Sequence, residues 1–254
     1  LESYIFRDDA AGGEFIAALI RAHERGVAVR VLLDGIGGGY VRSPTYSRLH
    51  RAGVPVARFL HSYLPRRTPV LNMRNHRKLL TVDGRVAFAG GLNIGAENLA
   101  GTNPAHRVRD THFRIEGPVV AQLAEVFADD WLFQTGERLA DNAWFPELSA
   151  AANGTATARA ITSGPDEDLE RIEFAALHAI SCATQSVRVV TPYFLPPEVL
   201  TTALGLAAMR GMKAEGGWGV VCTESVALTL AFWCNARAGL CCACSAAGFR
   251  LTGG

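Results

Sequence analysis

Lysine is almost absent from this chain: of 25 basic residues only Lys78 and Lys213 are lysines, so each stands out against an arginine background. Cysteine is missing from residues 1 to 181 altogether, which excludes a fold resting on disulfides there and suits a reducing compartment. No apolar run approaches the roughly 20 residues of a membrane-spanning helix. The longest runs from Val226 to Cys234. A basic N-terminal region leading into an apolar stretch is also lacking, so no signal peptide is expected, although a segment upstream of Leu1 stays open. Neither charge is in excess: a formal net charge of +1 excludes a protein that coats nucleic acid by bulk charge and leaves room for a local basic cleft. With 49% hydrophobic and 19% charged residues, the chain has the means to bury a core and is not a disordered tail.

What is present is an alternation of helical and strand patterns, which predicts an α/β architecture. Glu14 to Arg25 places Phe15, Ala18, Leu19 and Ala22 on one helical face, Gly26 closes the helix, and Val27 to Leu33 follows as a buried strand. Ser43 to Arg51 and Val54 to Leu60 repeat that helix and strand. His76 to Val82 and Arg85 to Ala89 read as antiparallel strands about the turn dipeptide Asp83-Gly84. Thr111 to Glu116 is another strand, Gly117-Pro118 breaks it, and Val119 to Phe133 has the spacing of a long amphipathic helix.

Residues 149–158 are small and polar and mark a linker after a first lobe spanning 1–148. Beyond it, Ala158 to Thr162 and Ser186 to Tyr193 read as strands, Asp166 to Thr184 and Pro196 to Arg210 as helices. A shift of 185 positions superposes Ala18, Leu19, Ala22, Arg25 and Gly26 on Ala203, Leu204, Ala207, Arg210 and Gly211, the mark of an internal repeat with a second lobe starting at 159–213. Met212 to Gly217 is not expected to make the strand that follows Gly26, so the second pseudo-repeat reads as incomplete. Residues 214–254 differ in kind, with four charged residues (Glu215, Glu224, Arg237, Arg250) and five of the six cysteines. Such a break is expected of a stretch read out of frame. Cys241-Cys242-x-Cys244 lacks the paired spacing of a zinc site, and no metal is expected.

The chemistry is concentrated in Asn75 to Asn93, NHRKLLTVDGRVAFAGGLN. On a strand, positions i and i+2 point to one side, so His76 and Lys78 are expected to converge on one ligand group, a nucleophile or acid beside a fixed cation. The hairpin at Asp83-Gly84 returns the chain. Gly90-Gly91 can then let backbone approach an anion while the Asn93 amide donates a hydrogen bond. This set suits a phosphate diester.

The spacing H-x-K-x4-D-x6-G-[SG]-x-N resembles the signature of the phospholipase D superfamily, and every position is filled. Asn72 to Leu99, Arg109 to Pro118 (RDTHFRIEGP), Ser163 to Asp166, Thr191 to Pro196 (TPYFLP) and Tyr4 to Asp9 (YIFRDD) are similar to the bacterial cardiolipin synthases of that superfamily, over residues 3 to 213. The resemblance implies an α-β-α sandwich with a mixed sheet. In it, two motifs, one per half, build a site that passes a phosphatidyl group through a phosphohistidine without metal or other cofactor. Carried over by position, His76 is the nucleophile or the acid facing it, and Lys78, Gly91 and Asn93 bind the phosphate. Asp83 belongs to the motif, but its strand parity is opposite to that of His76, so a structural role at the turn is expected. Asp110 is expected as a buried carboxylate orienting the imidazole. The implied substrate is the anionic phospholipid phosphatidylglycerol at a membrane surface, two molecules giving cardiolipin and glycerol. The full-length protein is expected at the bacterial inner membrane, and nucleic acid is not an expected partner. His112 and His178 read as ordinary polar positions, Glu97 has no role, and Arg74, Arg77, Arg107 and Arg109 line a basic mouth or are solvated.

No second His-x-Lys follows Asn93. One group must attack and another protonate the leaving alkoxide, so the chain alone is expected to turn over poorly unless a homodimer supplies the partner motif. Two alternatives stay open: a dimeric phosphodiesterase or nuclease of the same superfamily, and an inert module that binds anions or lipid headgroups.

Overall fold

The computed structural model describes residues 1–39, 41–61, 74–99, 101, 107–108, 110–147, 156–163, 170–190, 196–211, 213–217 and 244–250. The chain divides into two compact units, Leu1–Ala151 and Ala152–Gly254.

In the first unit, six strands form one mixed sheet: β1 (Glu2–Ser3), β2 (Val31–Asp34), β3 (Val56–Phe59), β4 (Lys78–Val82), β5 (Val86–Gly90) and β6 (His112–Glu116), in the order β3-β2-β1-β4-β5-β6. The first three run parallel, because α1 (Ala10–Glu24) and α2 (Pro44–Arg51) supply the crossovers that parallel neighbours need. The rest pair antiparallel, and β4 and β5 turn about Asp83 and Gly84, both at positive φ (53° and 60°), as a two-residue hairpin requires.

Alternation along the strands sorts the core. Val31 and Leu33 of β2 pack on one face with Ile16 of α1, Leu49 of α2, Phe6, Val29 and Val54. The alternate set, Glu2, Leu32, Leu79, Ala87 and Ile115, is buried on the other face, where α3 (Val119–Thr135) crosses β3 to β6. Gly136 ends α3 in the left-handed conformation, its N–H returning to the Leu132 carbonyl.

The first helix differs from its sequence reading in start and in face. It begins at Ala10, ahead of Glu14, because Asp9 caps it by accepting from Gly12 N–H at 2.9 Å. Gly12, ahead of the expected start, lies inside the helix, and a side chain there would collide with the Arg7 carbonyl. The buried face is Ala11, Gly12 and Ile16, with Leu19, Ile20 and Ala22 packed beside it, whereas Phe15 and Ala18 are exposed.

The second unit holds β7 (Thr157–Ser163), α4 (Arg171–Cys182), β8 (Ser186–Val190), α5 (Glu198–Met209), β9 (Lys213–Gly217) and β10 (Cys244–Arg250). Ile180, Val187, Val189, Leu200 and Ala207 form its core. One expectation is corrected here. Lys213 to Gly217 does form a strand, parallel to β8, so β8-α5-β9 reproduces the β1-α1-β2 unit. Ladder pairing uses backbone N–H and C=O groups, and the low β-propensity of Lys-Ala-Glu-Gly-Gly does not prevent it. Gly26 and Gly211, which the repeat superposes, close their helices at φ of 84° and 83°. β10 pairs antiparallel with β7. Most of the linker, residues 191–195 of TPYFLP, residues 164–166 and residues 218–243 lie outside the described residues. Among the described residues, no helix is long and apolar enough to cross a membrane.

Candidate functional site

His76 immediately precedes β4, and Lys78 is its first residue. The two side chains converge: Lys78 Nζ lies 2.9 Å from His76 Nδ1 and donates to the His76 carbonyl at 2.7 Å. Lys78 is buried at 7% exposure. Tyr4 covers the pair, its ring centroid 4.2 Å from that of His76 and 5.1 Å from Lys78 Nζ. Burial and then the Lys78 charge lower the His76 pKa to about 3, so the imidazole is neutral at neutral pH and keeps a lone pair.

The flanking residues Asn75 and Arg77 point to the α3 side of the sheet and anchor the segment. Asn75 Nδ2 donates to Glu2 and, at 2.9 Å, to Asp130 Oδ2 of α3. Arg77 pairs with the same Asp130 carboxylate, and Asn75 N–H donates to Asp34 Oδ2 at 2.8 Å. Asp34 also accepts from Ile36 and Gly37 N–H, which holds the loop after β2. Burial raises the pKa of Glu2 and of Asp34, against hydrogen bonds to both and the Arg77 charge beside Glu2. Arg77, only 8% exposed, is therefore neither a basic mouth nor a solvated charge. Period-2 alternation thus gives one strand start two jobs: even positions carry His76 and Lys78, and odd positions bolt the segment down.

Gly90 and Gly91 do something other than expected. Gly91 N–H is already committed to the Thr111 carbonyl at 2.9 Å, so it is not a donor waiting for an anion. A side chain at Gly91 would collide with the Asp110 carboxylate, and one at Gly90 with the Thr111 carbonyl and the His112 Cα. The glycines make room for the segment entering β6. Asn93 accepts from Ile5 N–H at 3.3 Å through Oδ1, which leaves its NH2 as the group able to donate to a ligand.

Asp83 sits exposed at the hairpin turn, at positive φ. Asp110 corrects a second expectation: it is exposed, not buried, because it precedes β6. Its charge acts on His112, whereas the neighbouring charge acting on His76 is that of Lys78. Glu97 does have a partner, Arg7 Nε at 2.6 Å, and fastens the turn after Asn93 to the segment between β1 and α1. Arg109 lies outside the described residues, and among those described no cluster could hold a metal ion.

The sequence model of one protein family, described as Cardiolipin synthase, PLD-like domain, matches residues 1–131. The chain belongs to this phospholipase D-like family. Over 215 residues it is 37% identical to the cardiolipin synthase of Geobacillus kaustophilus (strain HTA426) and 36% identical to that of Alkalihalophilus pseudofirmus, covering 85% of this chain and 43% of each relative. The chain therefore spans less than half the length of these relatives. The phosphatidylserine synthase of Haemophilus influenzae Rd KW20 shares the fold, with a TM-score of 0.61 at 16% identity over 85% of this chain and 55% of that one. The mixed α/β sheet of the first unit is thus a phospholipase D-like sheet.

Within this phospholipase D-like lobe, three elements escape a motif search: Tyr4 over the imidazole, the Glu2, Asp34 and Asp130 anchor, and His112. Tyr4 and His112 were within reach of sequence reading, since each lies in a stretch similar to the family (YIFRDD and RDTHFRIEGP). The anchor was not, because its members come from β1, β2 and α3 and meet only on folding.

Proposed function

We propose that this chain is the first lobe and the start of the second lobe of a cardiolipin synthase-type phosphatidyltransferase, with His76 as the nucleophile. The observation that carries the reading is the neutral His76 imidazole with the Lys78 ammonium against it. As they stand, Lys78 donates to Nδ1. A phosphodiester that draws the ammonium onto a nonbridging oxygen frees Nδ1; the ring gives its Nε2 proton to solvent and takes one on Nδ1, and the Nε2 lone pair attacks phosphorus. The N–P bond forms, the P–O bond to glycerol breaks, and the alkoxide takes a proton from a partner acid. That partner, now a base, takes the proton from the hydroxyl of a second phosphatidylglycerol as its oxygen displaces His76 to give cardiolipin. Lys78 and the Asn93 amide stabilise the charge that develops on the phosphoryl oxygens more than that of the ground state.

The partner acid belongs to a second motif, supplied by the rest of a longer chain or by a second copy in a homodimer. The substrate places the reaction at a membrane surface, the bacterial inner membrane in the full-length protein. We assign residues 1–148 to the first lobe, 149–158 to a linker, 159–213 to the start of the second lobe, which β9 carries on to Gly217, and the residues after it to a compositionally distinct tail. Asp83 serves the turn, and Asp110 acts through His112.

Acyl-labelled phosphatidylglycerol in vesicles tests the central step. An acid-labile covalent label on the wild-type chain, absent from His76→Ala, is expected. Equal label on both, or none on either, refutes His76 as the nucleophile of an active half-site. Cleavage of single-stranded DNA by the same preparation points to the nuclease alternative.

A further inference from the structure

The strand register carries a residue into the site that the motif does not contain. Gly90 pairs with His112, and the β4–β5 register, continued one step beyond Leu79 and Ala89, sets Lys78 level with Gly90. Lys78, Gly90 and His112 therefore form one cross-strand row, and side chains directly opposite one another in a sheet share a face. Across two strand spacings the backbones of Lys78 and His112 lie about 10 Å apart, with no side chain between them because the central residue is glycine. The imidazole of His112 uses that gap: a Cβ added to Gly90 would stand 2.9 Å from His112 Nδ1. The ring thus lies against Gly90, within reach of the Lys78 charge.

His112 Nδ1 is buried against this glycine and, among the described residues, has no hydrogen-bond partner. The residue as a whole is only half-buried, so the ring meets its surroundings through the other edge, Nε2. An N–H buried without an acceptor is the rarer arrangement in folded proteins, which places the proton on Nε2. Burial lowers the His112 pKa, opposed by Asp110 and assisted by Lys78, so the ring is neutral at neutral pH.

We propose that His112 is a phosphate-binding residue of this lobe, its Nε2–H donating to a phosphoryl oxygen held from the other side by Lys78. The assignment rests on the phosphodiester reading above and extends it. It also gives Gly90 a physical reason, since any side chain there would displace the imidazole.

The test uses the full chain and inorganic phosphate. Side-chain 15N spectra of the histidines are recorded during a phosphate titration, and Kd is measured by calorimetry for the wild type, His112→Ala, His112→Gln and Lys78→Ala. The His112 Nε2 resonance is expected to shift with the same midpoint as the calorimetric curve. His112→Ala is expected to raise Kd about tenfold or more, a loss of about 1.4 kcal/mol. His112→Gln, which keeps a donor, is expected to stay within about threefold of the wild type. If Lys78→Ala loses phosphate while the wild-type His112 resonance stays still and His112→Ala binds normally, the proposal is overturned and the phosphodiester reading stands. If the wild type binds no phosphate, that reading falls and this proposal with it. Because the spectra are taken on the wild type, they decide the matter even if a variant does not fold.

Discussion

Removing the Asp130 carboxylate should destabilise the first unit severely although the residue is neither in the motif nor fully buried. Its Oδ2 accepts from Arg77 and from Asn75 Nδ2, and the Arg77 and Asp130 side chains are 9% and 17% exposed. Breaking a buried pair from one side costs about 3–5 kcal/mol, because the surviving charge keeps its desolvation penalty. Glu2 stands beside Arg77 and offsets part of that loss, so Asp130→Ala is placed near the lower end, about 3 kcal/mol. With a urea slope of about 2 kcal/mol per molar, the unfolding midpoint falls by about 1.5 M. Trp131, buried next in sequence on α3, offers a fluorescence probe. The double variant Arg77→Met/Asp130→Leu removes both charges but also takes the Arg77 charge from buried Glu2, so it is expected to recover only part of the loss. A midpoint shift below about 0.5 M for Asp130→Ala, or a double variant as unstable as the single one, refutes the account. Exposed Asp129→Ala, the adjacent control, is expected to change stability by less than about 0.5 kcal/mol.

Three further outcomes follow from the same structure. The His76 pKa is lowered to about 3 in the folded chain against about 6.5 unfolded, so between these values the unfolded state binds more protons and stability falls as pH falls. The contribution is at most about 1.4 kcal/mol per pH unit and less after solvent screening of the partly exposed ring; urea midpoints at pH 7, 5 and 4 should show a loss that His76→Gln lacks, and parallel slopes would contradict it. Gly37→Ala puts a Cβ into the Tyr4 carbonyl and 2.9 Å from its ring, so it should cost about 1–3 kcal/mol and lower phosphate affinity, checked by urea unfolding and calorimetry. Leu33→Ala, in the core between β2, α1 and α2, should cost about 3 kcal/mol, whereas Phe133→Ala at 68% exposure should cost under about 1 kcal/mol.

Local signals were legible wherever the local chain decides the outcome. The hairpin at Asp83-Gly84 could be read because positive φ at both turn residues is a property of the dipeptide. The helix read over Ser43 to Arg51 forms as α2, Ser43 capping it by accepting from Tyr46 N–H. The same reasoning failed at the start of α1 and at Lys213 to Gly217, where capping by Asp9 and pairing with β8 produce structure that the local sequence did not announce. It failed again at Asp110 and Gly91. A motif records which residue types recur together and not which of them touch: the Asp110 charge acts on His112, and the Gly91 N–H is spent within the sheet.

By itself, the sequence determined the α/β class, the hairpin, the family and the convergence of His76 and Lys78, because these rest on periodicity, turn chemistry and spacing within one short stretch. Only the tertiary structure decided what surrounds that pair. Glu2, Asp34 and Asp130 are 32 to 128 positions apart in the chain, and His112 lies beyond the motif altogether. They meet because strand register and helix packing bring distant segments to one sheet, and side-chain alternation then sends the chemistry to one face and its anchor to the other.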